Sequence, residues 1–162
     1  MFHVVLWQPE IPANTGNIGR LCLGCGAQLH IVRPMRFLVN DRALRRAGLD
    51  YWHRLNVNYL DSLSELEATV PPPRTWLFTT KGERCHADVR FEPGDALVFG
   101  PESRGLPQEM LDAAPQRCLR LPMTSAIRSV NLANTVAVAL YEAWRQQDFA
   151  LPDATRPEKE EQ

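Results

Sequence analysis

The chain has 162 residues, 44 % of them hydrophobic and 23 % charged, with a formal net charge of −1. These proportions suit one globular domain with its own core. The near-neutral balance gives no global pull toward nucleic acid, and no apolar run approaches the roughly 20 residues that a bilayer span requires.

The elements are taken in chain order. Met1-Phe2-His3-Val4-Val5-Leu6-Trp7 has no basic start and is cut off by Gln8-Pro9-Glu10. It reads as a strand over Phe2–Trp7 rather than a secretory leader, so a cytoplasmic protein is expected. Gly16–Cys25 reads as a short helix with Ile18, Leu21, Cys22 and Cys25 on one face. Gln28–Val32 is a second strand, Asp41 caps a helix through Ala47, and Val57–Leu60 is a third strand. Ser62 caps a helix through Thr69, and Pro71-Pro72-Pro73 then breaks the chain. Thr75–Thr79, Ala96–Phe99 and Cys118–Leu121 are further short strands, with a helix over Pro107–Ala113 that carries proline in its first turn. The last helix runs from Val130 to Gln147. Ser129 is its expected N-cap, and Ala133, Val136, Ala137, Leu140 and Trp144 fall at helical spacing. Beyond Phe149 the composition turns polar, predicting a domain over 1–150 and a disordered tail over 151–162. Strands alternating with helices predict an α/β fold, a mostly parallel sheet with helices on both faces.

Cys22-Leu-Gly-Cys25 is formally a CxxC pair, but Cys85 and Cys118 lack the close partners that a zinc site needs. Lying late in an apolar helix, the pair reads as small hydrophobes. The histidines (His3, His30, His53, His86) are scattered, so no metal is expected. Charge is uneven along the chain. Arg20, Arg33, Arg36, Arg42, Arg45, Arg46 and Arg54 face only Asp41 and Asp50 over that stretch, a local basic face suited to phosphate.

Three polar segments follow strands, where open α/β sheets bind ligands. The first is Gln8 to Arg20. Asn14, Thr15 and Asn17 are potential caps there, and Gly16 and Gly19 allow close backbone approach at a helix start. The second, Gly100-Pro101-Glu102-Ser103-Arg104-Gly105, brackets an acid and an arginine between glycines. It reads either as a strand-to-helix turn with a local Glu–Arg pair or as backbone wrapped round a ligand. The third runs from Leu121-Pro122-Met123 through Ser129, Asn131, Asn134 and Thr135 into the last helix. Neither a dinucleotide fingerprint nor a phosphate-binding loop of the Walker type is present.

Together, in this order, the segments IPANTGNIGRLC, RRAGLDYW, FTTKG, FGPESRGLP and SVNLANTVAVALYEAWRQ resemble the motifs of the SPOUT class of RNA 2′-O-methyltransferases. The resemblance spans Leu6 to Arg145, and is strongest to the minimal single-domain type that methylates the wobble nucleotide of tRNA. It implies a C-terminal trefoil knot that holds S-adenosylmethionine, with no metal. It also implies a homodimer whose sites borrow residues from the partner, and the anticodon stem-loop of tRNA as substrate. Carried onto this chain, it places the cofactor against Phe78, Gly100, Glu102, Gly105, Leu121, Met123 and Ser129. Arg20 and Ser129 are the expected catalytic residues, with Asn14 and Asn131 on the substrate side. A guanidinium is always protonated in proteins, so Arg20 is expected to orient the ribose and stabilise developing alkoxide charge. A related enzyme acting elsewhere on tRNA or ribosomal RNA is the nearest rival reading. A non-catalytic RNA-binding module and a nucleotide-binding oxidoreductase stand further off.

Overall fold

The computed structural model describes residues 1–35, 37 and 51–151. The helix expected over Asp41–Ala47, the arginines at 36, 42, 45 and 46, and the tail from 152 onward lie outside them. Among the described residues seven strands form one sheet: β1 (His3–Trp7), β2 (Gln28–Val32), β3 (Val57–Leu60), β4 (Thr75–Phe78), β5 (Arg84–Cys85), β6 (Ala96–Phe99) and β7 (Cys118–Arg120). Their order is β3-β2-β1-β6-β4-β7-β5, and every pairing is parallel.

A parallel sheet is buried on both faces, and the alternation along each strand shows how. Val4, Leu6, Leu29, Ile31, Leu97 and Phe99 face helix α1 (Pro12–Cys25) and the final helix α3 (Leu132–Arg145), meeting Ile18, Cys22, Val136, Ala139, Leu140 and Ala143. Val5, Val32, Leu77 and Val98 face the other way. They meet Leu66, Val70, Leu106, Leu111 and Ala114 from a 3-10 helix over Leu63–Ala68 and the short helix α2 (Gln108–Asp112) with its flanks. Register brings Leu6 opposite Phe99, Phe99 opposite Phe78, and Phe78 opposite Leu119. The carboxyl ends of the central strands therefore open along one line, where the polar segments emerge.

Several boundaries differ from expectation, each for a local reason. Helix α1 begins at Pro12, not Gly16, because proline is pre-set for a first helical position. Asn14, Thr15 and Asn17 therefore lie inside the helix and do not cap it. Asn131, not Ser129, caps α3: its side-chain oxygen accepts from the Ala133 and Asn134 N–H groups at 2.9 and 3.3 Å. The segment after Ser62 is a 3-10 helix without a side-chain cap, the Ser62 hydroxyl pairing with that of Ser64. The two-residue β5 is too short to show a pattern. Burial pushes the Cys22 and Cys25 thiols up, keeping them protonated, the behaviour of packed apolar groups.

Candidate active site

A cavity of about 470 Å³ opens at the carboxyl ends of β4, β6 and β7. Its apolar wall is Phe78, Phe99, Leu106, Leu119 and Leu121, and its polar rim includes Thr79, Lys81, Arg104, Arg128 and Thr135. Phe78 is buried and stacks on Phe99, ring centroids 4.7 Å apart, so strand β4 presents mainly backbone to the cavity. Asn14, Phe78, Gly100, Glu102, Gly105, Leu121, Met123, Ser129 and Asn131 all line it. Arg20 does not. It lies six residues along α1 from Asn14, about 9 Å of helical rise, exposed, with its guanidinium 4.9 Å from the centre of the Tyr51 ring.

The loop Gly100–Gly105 does two things that its sequence leaves open. Its glycines fold it upon itself: a Cβ at Gly100 would stand 2.3 Å from the Gly105 carbonyl carbon and the Leu106 nitrogen. Gly105, at φ +71°, takes the left-handed conformation, and its N–H closes on the Pro101 carbonyl at 2.9 Å. The close approach that Gly100 permits is thus to the loop's own backbone. Gly19 likewise makes room for protein, since a Cβ there would lie 2.9 Å from Trp52 and 2.8 Å from Leu55.

The acid and arginine of the loop do not form the local pair considered from sequence. The Glu102 carboxylate accepts from the Glu10 N–H at 3.0 Å, the Ile11 N–H at 3.3 Å and the Asn14 amide at 2.9 Å. It therefore caps α1 from across the fold. A carboxylate is well suited there, because the exposed N–H groups and the helix dipole favour negative charge. In return the Ser103 N–H donates to the Glu10 carboxylate at 3.0 Å, and Arg104 donates to Gln8 at 2.6 Å. Gln8 holds a left-handed φ of +50° to make this turn, a conformation uncommon outside glycine. The Asn131 amide N–H donates to the Asn14 side-chain oxygen at 3.1 Å. A continuous hydrogen-bonded line thus runs Glu102–Asn14–Asn131 and ends in the cap of α3.

Gln8 and Glu10 were not singled out from sequence, and only the acid before a helix start hinted at a role. Lys81, whose ammonium donates to Gln108 at 2.6 Å, and Arg128 also lay outside the expected set. The cavity, lined by backbone and apolar rings with one polar flank, is built for an amphipathic small molecule, and its volume falls within the usual range for ligand sites. Among the described residues no group of three side chains could hold a metal ion.

The SpoU rRNA methylase family matches residues 1–141 of the chain. The tRNA (cytidine(34)-2′-O)-methyltransferase of Escherichia coli K12 is 51 % identical over 151 residues, covering 92 % of this chain and 96 % of its own length. The protein of that name from Methylovorus glucosotrophus is 50 % identical over 151 residues, 93 % of this chain and 98 % of its own. A solved structure concerned with 2-OH methylation of C/U34 on tRNA superimposes with a TM-score of 0.83 at 46 % identity, covering 91 % of this chain and 97 % of that one.

Proposed function

The chain belongs to the SpoU rRNA methylase family, and on that premise we propose that it transfers the methyl group of S-adenosylmethionine to the ribose 2′-hydroxyl of wobble nucleotide 34 of tRNA. The observation that carries the reading is that one cavity gathers residues from all three polar segments, in a chain half identical to relatives that bear that activity in their name. The cavity fits the cofactor by its own chemistry: flat apolar surface beside backbone at Phe78, Gly100 and Leu121 suits a purine, and the Ser129–Asn131 flank suits polar groups. A trefoil knot is in keeping with the tight crossing beside it. The Thr79 N–H donates to the Leu119 carbonyl at 2.9 Å, and a Cβ at Gly82 would stand 2.9 Å from Leu119 backbone. Residues 1–150 then constitute the methyltransferase domain of a cytoplasmic enzyme.

The bound cofactor supplies an electrophilic methyl and its own leaving group, so the protein's task is to hold and polarise the hydroxyl. Ser129, exposed at the rim, is placed to contact the ribose. Asn14 and Asn131 fix the rim through their mutual bond and stand on the substrate side. Arg20, always cationic, orients the ribose and stabilises alkoxide character while the hydroxyl proton leaves to solvent. Arg20 is absent from the cavity lining of its own chain, which suits a homodimer in which it serves the partner's site.

Methyl transfer to total tRNA, followed by mapping of the modified nucleotide, tests this reading. The expected product is a 2′-O-methyl at nucleotide 34, first of all in leucine tRNAs. Arg20→Ala is expected to abolish transfer while calorimetric cofactor affinity stays within about threefold. A methyl mapped to another tRNA position or to ribosomal RNA would establish the rival reading, and no transfer with an intact chain would leave a binding module.

A further inference from the structure

Tyr51 and the 3-10 turn Trp52–Arg54 that follows it pack against α1 beside Arg20, and Tyr51 makes two contacts there. The Tyr51 hydroxyl donates to the Gly16 carbonyl at 2.6 Å, a buried contact. In a regular helix the Gly16 carbonyl is also the acceptor for the N–H of residue 20. Tyr51 therefore grips the helical turn from which Arg20 springs, and its ring lies under the guanidinium at 4.9 Å. The ring itself is buried while Arg20 is exposed. That places a buried aromatic face under an exposed cation, within the roughly 6 Å over which cation–π attraction acts. The seat is shaped for the purpose, since α1 offers glycine at 19 where Trp52 and Leu55 press in.

We infer that Tyr51 is a positioning residue for Arg20, holding the guanidinium over one edge of α1 so that it meets the substrate already oriented. The inference rests on the reading of Arg20 given above. An arginine free of such support samples many rotamers, and a reacting group displaced by about 1 Å can lose two orders of magnitude in rate. Tyr51 touches no reacting atom in this scheme; it acts only through Arg20.

The experiment compares Tyr51→Leu, Tyr51→Phe and Arg20→Ala by steady-state methyl transfer, cofactor calorimetry, thermal unfolding and NMR of arginine side chains. Tyr51→Leu is expected to lower kcat about tenfold or more, with tRNA KM and cofactor Kd changed by less than about threefold. Tyr51→Phe keeps the ring and is expected to retain at least about a third of kcat. In wild type and Tyr51→Phe the ring current shifts the Arg20 side-chain resonances upfield, and in Tyr51→Leu they return to ordinary values. If Arg20→Ala retains full kcat, the reading of Arg20 fails and this inference with it. If Arg20→Ala is inactive but Tyr51→Leu turns over like wild type, the inference alone is overturned. It is overturned equally if both Tyr51 variants lose stability, cofactor affinity and rate together, because that marks a purely structural role.

Discussion

His3 and His30 stand on adjacent strands with their rings 5.1 Å apart and His3 Nδ1 2.9 Å from His30 Nε2. Both are buried in the sheet. One hydrogen bond joins them, so one of the facing nitrogens carries the shared proton and the other accepts it. Burial pushes His30 down to about 4, with the neighbouring His3 adding to the effect; burial lowers His3 too, with the cationic N-terminus and Arg74 acting in the same direction. The sign of the linkage follows. An unfolded histidine titrates near 6.5, so between there and about 4 the unfolded chain binds more protons than the folded one. The stability from keeping His30 neutral is complete above that window and is lost as pH falls through it. At about 1.4 kcal/mol per pKa unit, the drop to about 4 is worth on the order of 3 kcal/mol across the whole window, roughly 2 of it by pH 5. Urea denaturation at pH 7.5 and pH 5 measures it. His30→Gln, which can still hydrogen-bond to His3 but does not titrate, should flatten the profile in this range, and an unchanged slope would remove the pair as its cause.

At the scale of elements, the helix ends are tied to one another rather than to their own sequence. Helix α1 has no cap from its own N-cap residue, Ile11, and takes one from Glu102; α3 is capped by Asn131, which Asn14 of α1 in turn holds. The glycine that folds the 100–105 loop is therefore a stability element for α1 as well as a wall of the cavity. Gly100→Ala forces a methyl against backbone atoms that cannot step aside, unlike a flexible side chain. The loop must open and withdraw Glu102. The expected cost is about 2 kcal/mol or more, combining a lost cap with local strain, together with loss of cofactor affinity in calorimetry. Gly24→Ala is the control: in the same helix α1, with nothing near its Cβ position, it should be neutral or stabilising by up to about 1 kcal/mol. Equal destabilisation by both would show that Gly100 has no special role. This long-range capping also explains what the sequence concealed. The strands Gln28–Val32, Val57–Leu60 and Ala96–Phe99 were legible to the residue, because parallel strands are short runs of apolar and β-favouring side chains ended by turn residues. The caps were not legible. Asn14 and Thr15 look like helix starters in isolation, and nothing local reveals that a carboxylate 88 residues from Asn14 does their work. The residues round the cavity were found through the order of three motifs, whereas Gln8, Glu10 and Lys81 have partners set only by the folded loops.

For the whole molecule, α3 poses a problem that the described residues do not solve. Its inner face, Val136, Ala139, Leu140 and Ala143, is fully buried against the sheet. Its outer face carries Val138 at 47 % and Tyr141 at 49 % exposure, and Phe149 just beyond the helix is exposed as well. Tyr141 packs edge-on against Trp144, which packs in turn against Phe149, at centroid distances of 5.7 and 5.4 Å. A surface helix ordinarily turns charged residues outward, and an aromatic group rimmed by polar residues marks a contact surface. The homodimer proposed above would cover this face and at the same time bring Arg20 of one chain toward the cavity of another. Val138→Glu places a charge at the centre of that face without touching the cavity, whose lining does not include it. Sedimentation should find wild type at twice the 18.4 kDa of one chain and the variant at that single mass. Because the variant keeps its own cavity but loses a neighbour's arginine, transfer should fall with dimer content and recover at high protein concentration. A monomeric variant with full activity would mean that each chain completes its own site, and Arg20 would then have to reach the ribose from its own helix.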